Sequence, residues 1–227
     1  MEPEHDLPAH HVDLAAEIRR LGNAAMERSL DPIEAAEIRR ELTFLSDRLE
    51  RRPVISKVER VFRRHRIADF LETGTWSEPP ENGSRLDFDP TSFVGGELNP
   101  FSTEARYYCE GEEAAGYVKL GACYEGPPGR AHGGVICAVF DEVMGSVFHA
   151  IGAPAAFTGE LSVRFDQPAP LNTELEFRAR LVKSEGRRQL IEGEARSPEG
   201  RFATATATFI EMKTEHLVDM QQLKSEL

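Results

Sequence analysis

His132-Gly133-Gly134 heads a long apolar run, and two acids, Asp141 and Glu142, sit in the middle of that run. Glycines at a helix start clear side chains from the place where the first-turn N–H groups point outward unpaired, and the helix dipole adds about half a positive charge there. Such an end binds an anion or polarises a carbonyl, although the same glycines also permit close packing. His132 reads either as a capping or packing residue or as a base. From 133 to 151 the run carries Val135, Ile136, Val139, Phe140, Val143, Met144, Val147, Phe148 and Ile151 around nearly the whole circumference, the mark of a buried helix. An acid in such a helix needs a partner. It makes a structural bond or lies on a residual exposed edge, or else it faces a cavity or a subunit boundary.

The elements that must position these groups are legible on either side. Glu104–Glu110 and Ala115–Tyr124 read as strands around the polar turn Gly111-Glu112-Glu113. After the helix come strands over Phe157–Asp166, Glu174–Ser184, Gln189–Arg196 and Phe202–Met212, separated by the turn-like QPAPLN, SEGRR and SPEG. In FATATATFI, Ala203, Ala205 and Ala207 alternate with Thr204, Thr206 and Thr208, so one sheet face is lined by small residues that let the helix approach. One long helix amid tightly connected strands implies an α+β fold, with a mainly antiparallel sheet wrapped around the helix.

Upstream, Leu14, Ile18, Leu21 and Ala25 predict one helix. Ile38, Leu42, Leu45 and Leu49 predict a second, begun by Asp31-Pro32-Ile33-Glu34. Val54, Val58, Val61 and Phe62 suggest a third. The stretch 51–66 is basic, a solvated face or a docking surface for a phosphorylated ligand or acidic partner. Residues 72–103 are rich in turn formers and read as an extended connection. The expected organisation is a helical extension over 1–71, the connection over 72–103, the main domain over 104–213 and a tail over 214–227.

Composition narrows the class. A formal charge of -12 over 227 residues argues against nucleic acid as the main partner. Cys109, Cys123 and Cys137 suit neither a disulfide framework nor a zinc site and are expected as reduced thiols in the cytoplasm. The N-terminus lacks an apolar signal core, and no run of about eighteen apolar residues predicts a transmembrane segment. Phosphate-loop, dinucleotide-binding, HExxH and paired CxxC motifs are missing, so neither a metal nor a cofactor is expected.

The ensemble of motifs resembles the hotdog-fold acyl-CoA thioesterases of the phenylacetate-degradation type. It comprises GPPGRAHGG, an Asp nine residues after the His, Gly96, Asn99-Pro100, TGELSV at 158–163, Pro168-Ala169-Pro170 and Gly186-Arg187, over about residues 95 to 212. The resemblance implies a hotdog fold, an acyl-CoA substrate and thioester hydrolysis. It assigns the catalytic acid to Asp141, the carbonyl-polarising amide to Gly133 with Gly134 completing the turn, and the hydroxyl to Thr158. The chain departs at Gly126, where many members of the family carry Asn or Gln.

Helix geometry adds a constraint. Gly133 and Asp141 are eight positions apart, about 12 Å of rise, whereas a nucleophile and its carbonyl lie about 3 Å apart. One helix cannot serve one thioester with both. Two antiparallel helices in a homodimer, or in a dimer of dimers, can. Glu142 points about 100° from Asp141 and is expected to be structural. Arg187, Arg188 and Arg130 are the candidates for the coenzyme A phosphates, unless they merely solvate the surface. A hotdog enoyl-CoA hydratase or dehydratase, or a non-catalytic acyl-CoA sensor or scaffold, is the alternative. The acyl chain is left open, to be set by how Val139, Met144, Phe157 and the N-terminal region pack.

Overall fold

The computed structural model describes residues 9–54, 65–86 and 89–213. The expected helix around Val58, Val61 and Phe62, with most of the basic stretch, lies outside the described residues, as does the tail 214–227. Two N-terminal helices, α1 (Ala9–Glu27) and α2 (Pro32–Glu50), are followed by a short α3 (His65–Thr73). Then come β1 (Arg106–Glu110), β2 (Glu113–Lys119), α4 (Gly133–Ala150), β3 (Ala156–Phe165), β4 (Glu174–Glu185), β5 (Arg188–Ser197) and β6 (Gly200–Glu211). The strands form one antiparallel sheet in the order β1-β2-β4-β5-β6-β3.

The sheet curls around α4, whose Val139, Phe140, Val143, Met144 and Val147 are fully buried. By length and composition α4 would also pass for a membrane span; here it is the core that the sheet covers. The β6 alanines 203, 205 and 207 are buried as their alternation predicts. The closest approaches, however, come at glycines on neighbouring strands. A Cβ on Gly193 of β5 would stand 3.2 Å from Met144 Cε and 2.9 Å from the Arg178 carbonyl, and one on Gly116 of β2 would stand 3.1 Å from Val143 Cγ2. Gly193→Val is therefore expected to overpack the helix–sheet seam and cost about 1–3 kcal/mol, read as a lower midpoint of denaturant unfolding.

α1 is seated on the domain by a face one step round from the one its leucines mark. Ala15 and Arg19 are buried, whereas Leu14 and Leu21 stay exposed. Arg19 Nη1 donates to the Asn99 carbonyl at 2.7 Å and Nη2 lies 3.1 Å from Glu104 Oε1. α2 has its expected capping box at Asp31 and Glu34 but buries no side chain.

The segment before β1 is irregular, as its turn formers require, yet it packs over the core. Leu86, Val94, Ser102 and Thr103 are all buried. Arg66 of α3 donates from Nη2 to the Ala153 carbonyl at 2.6 Å, just beyond the C-terminus of α4. That end carries the negative pole of the helix dipole and favours a cation.

Candidate active site

His132 is the N-cap of α4, in extended conformation, and its Nδ1 accepts the Gly134 N–H at 3.0 Å. The ring proton therefore sits on Nε2, and the imidazole serves as a cap. The Val135 and Ile136 amides return to the His132 carbonyl. The Gly133 N–H, at the first helical position, has no acceptor among the described residues. Phe165, at the end of β3, lies 3.5 Å from where a Gly133 Cβ would stand.

The departure at Gly126 has a steric reason. The 126–131 loop closes through Gly126 N–H to the Arg130 carbonyl at 2.9 Å, and a Cβ at 126 would stand 2.8 Å from His132 Cα. Any larger residue there must displace the cap.

Asp141 is half-buried, and its Oδ1 accepts the Thr158 hydroxyl at 2.6 Å. β3 reaches that geometry through a bulge. Leu161, Val163 and Phe165 pair with the buried Ala207, Ala205 and Ala203 and so share the inner face; strict alternation would leave Thr158 on the outer face with Ser162 and Arg164. The register shift between Thr158 and Glu160 reverses that parity and sets Thr158 opposite the inward Phe209.

The pair opens on a cleft of about 460 Å³ that runs along one face of α4 from Ala138 through Asp141 and Gly145 to His149. Of the residues expected to set pocket depth, Phe157 lines it, while Val139 and Met144 are buried in the core.

Glu142 is buried beside the cleft and held by groups far away in sequence. Ser92 Oγ donates to its Oε2 and the Gly95 N–H to its Oε1 at 3.0 Å, with the Tyr107 hydroxyl beside it. Burial still pushes its carboxyl up to about 7, against the lowering effect of those donors. A buried acid raised above its unfolded value of 4.5 holds its proton more tightly when folded, so stability falls as pH rises from about 4.5 through 7. The expected loss is on the order of 3 kcal/mol between pH 5 and pH 8. Unfolding curves of Glu142→Gln measured against pH should lack that slope.

Among the other expected residues, Arg130 is exposed in the loop before His132. Arg187 donates from Nε and Nη2 to the Glu211 carbonyl at 3.0 and 2.6 Å, and Arg188 opens β5 opposite Ile210. Ile210 in turn pairs with Phe157, next to Thr158. Arg187 and Arg188 thus lie at the acid end of β3, while Arg130 and Gly133 lie at the Phe165 end. The two ends are seven residues apart, about 23 Å. Ser92, Gly95, Arg66 and His149 carry no motif or period that marks them in the sequence; the segment that holds Ser92 and Gly95 is ordered by a turn in which Asp89 Oδ1 accepts from Thr91 N–H and Oγ1.

The thioesterase superfamily model matches residues 128–204. Over 93 residues the chain is 31% identical to the acyl-coenzyme A thioesterase THEM4 of Mus musculus, covering 40% of each. Over 97 residues it is 30% identical to that of Bos taurus, covering 42% of this chain and 39% of the relative. The chain spans about two fifths of the length of these curated relatives. The crystal structure of protein RHA08564, a thioesterase superfamily protein, superposes with a TM-score of 0.71 at 21% identity, covering 93% of this chain and 94% of that one, and so shares the fold. Residues 128–204, which carry the helix start and Asp141 together on this hotdog fold, are the part of the chain that resembles the thioesterase superfamily.

Proposed function

We propose that the protein is an acyl-CoA thioesterase of the phenylacetate-degradation type, working as a homodimer or dimer of dimers with each site shared between two subunits. The observation that carries this is the placement of two half-sites on one strand. The Thr158–Asp141 pair stands at one end of β3, and the Gly133 amide, against Phe165, stands at the other.

Among the described residues β3 is an open sheet edge of ten residues with Phe157 and Phe165 exposed on it, a surface that calls for a partner strand. Antiparallel pairing of two β3 strands about a two-fold axis between Leu161 and Ser162 sets residue 158 of one opposite 165 of the other. The acid of each subunit then meets the helix start of its partner. Arg187 and Arg188 of one subunit and Arg130 of the other converge on the same rim, where the coenzyme A phosphates would lie.

The chemistry follows. The Gly133 N–H and the positive helix end hold the thioester carbonyl. Asp141, oriented by Thr158, takes a proton from water as the oxygen adds to the carbonyl carbon, and the developing oxyanion is held at Gly133. Collapse expels the thiolate, which takes the proton back from Asp141. The products are the free acid and CoA; direct attack by Asp141 through a mixed anhydride gives the same balance. Use of His132 as the base of a dehydratase is disfavoured by the engagement of its Nδ1 in the cap.

Free-thiol release over a panel of acyl-CoAs tests the proposal. Loss of enoyl-CoA absorbance without thiol would replace it by a hydratase, and binding of CoA esters without thiol release by a sensor.

A further inference from the structure

Opposite Asp141, the cleft ends in two polar groups that the hydrolytic chemistry does not use. Arg66 of α3 and His149 of α4 both line it. Arg66 Nε and His149 Nδ1 are buried, and neither has a hydrogen-bond partner among the described residues. Arg66 spends one nitrogen on the Ala153 carbonyl and lies 5.2 Å from the centroid of the Trp76 ring. No carboxylate among the described residues pairs with its charge. The acids on the cleft are occupied elsewhere: Asp141 by Thr158, Glu142 by Ser92 and Gly95, and Asp89 by Thr91.

Burial pulls the Arg66 guanidinium down to about 10, and burial together with the Arg66 charge pulls the His149 imidazole down to about 4. The cleft end therefore presents one cation and one neutral imidazole at neutral pH. Buried cations without a counter-ion are costly, and an incoming anion relieves that cost. The walls between Asp141 and this end are apolar, with Phe148, Ala155, Phe209 and Met212 among them.

We propose that Arg66 and His149 receive a carboxylate at the tip of the acyl chain, so that the preferred substrate is the CoA thioester of a dicarboxylic acid. This rests on the thioesterase reading above. The spacing sets the length. Asp141 and His149 are eight positions apart, about 12 Å of rise. A contact of about 3 Å at each end leaves about 6 Å, the span of roughly four to six bonded carbons.

The test compares adipoyl-CoA with hexanoyl-CoA, which differ only in that terminal carboxylate, in thiol-release assays on the full-length protein. The parent is expected to favour adipoyl-CoA by about tenfold or more in kcat/KM, as one charge-assisted hydrogen-bond set implies. Arg66→Met is expected to lose about 10–100-fold toward adipoyl-CoA and to stay within about threefold toward hexanoyl-CoA. A purely structural role in holding Ala153 and Trp76 would lower both alike.

Should Arg66→Met fail to fold, His149→Phe is read the same way, through a selective loss of several-fold. Equal use of the two esters by the parent, or equal losses in a folded variant, overturns the proposal. Thiol release from no ester defeats the hydrolase reading instead. In that case the single tryptophan, Trp76, beside Arg66, still reports binding. Tighter fluorescence titration by adipoyl-CoA than by hexanoyl-CoA, abolished in the variant, upholds the carboxylate site; equal titration rejects it.

Discussion

Asp141→Asn is expected to lower kcat for thiol release by about 10³–10⁴-fold while leaving the state of association in solution and the unfolding transition unchanged. The substitution keeps the size of the side chain and an oxygen to accept the Thr158 hydroxyl, so the 2.6 Å contact survives in kind. Asp141 is only half-buried, and no part of the apolar core depends on its charge. The amide cannot take a proton from water or attack a carbonyl, and general-base or nucleophilic catalysis is lost outright. Equal turnover by parent and variant would remove the mechanism. A change in the state of association or a lower unfolding midpoint would instead mean that Asp141 is structural.

The second large effect is expected at Gly133, where proline is a scalpel for one N–H. Proline is tolerated at the first helical position because that amide bonds nothing within the helix and the fixed φ suits the helix start. The residue before a proline must be extended, and His132 already is, at φ -67 and ψ 132. Gly133→Pro should therefore fold and lose about 10²–10³-fold in kcat, the usual effect of deleting one oxyanion donor.

Mixing the two variants separates a shared site from a private one. A hybrid dimer of Gly133→Pro with Asp141→Asn carries one doubly damaged and one intact site, so random reassociation should restore about a quarter of parental activity. No recovery from a mixture shown to exchange subunits would place both groups on one chain, against the separation of about 12 Å along α4.

The strands and the core helix were readable because their signals are local. The apolar run from 133 to 151 became α4 over Gly133–Ala150, and the four strand segments after it became β3 to β6 with no end moved by more than two residues. The acidic cap of α2 and the alanine face of β6 were equally plain. The site residues came from the motif resemblance rather than from periodicity. An acid in an apolar helix has several physical explanations, and Asp141 and Glu142 fit different ones.

Taken alone, the chain's order of residues determined a buried rod with a glycine start, a wrapping antiparallel sheet, and a separation of about 12 Å between Gly133 and Asp141 along that rod. Each of those follows from spacings of a few residues, where helical and strand periods act directly. Only the tertiary structure decided that Glu142 is held by Ser92 and Gly95 some fifty residues away, and that a bulge turns Thr158 onto Asp141. It alone brought Arg66 across to the C-terminal end of α4. Such pairings are chosen by which surfaces meet when the core closes, and no local period encodes them.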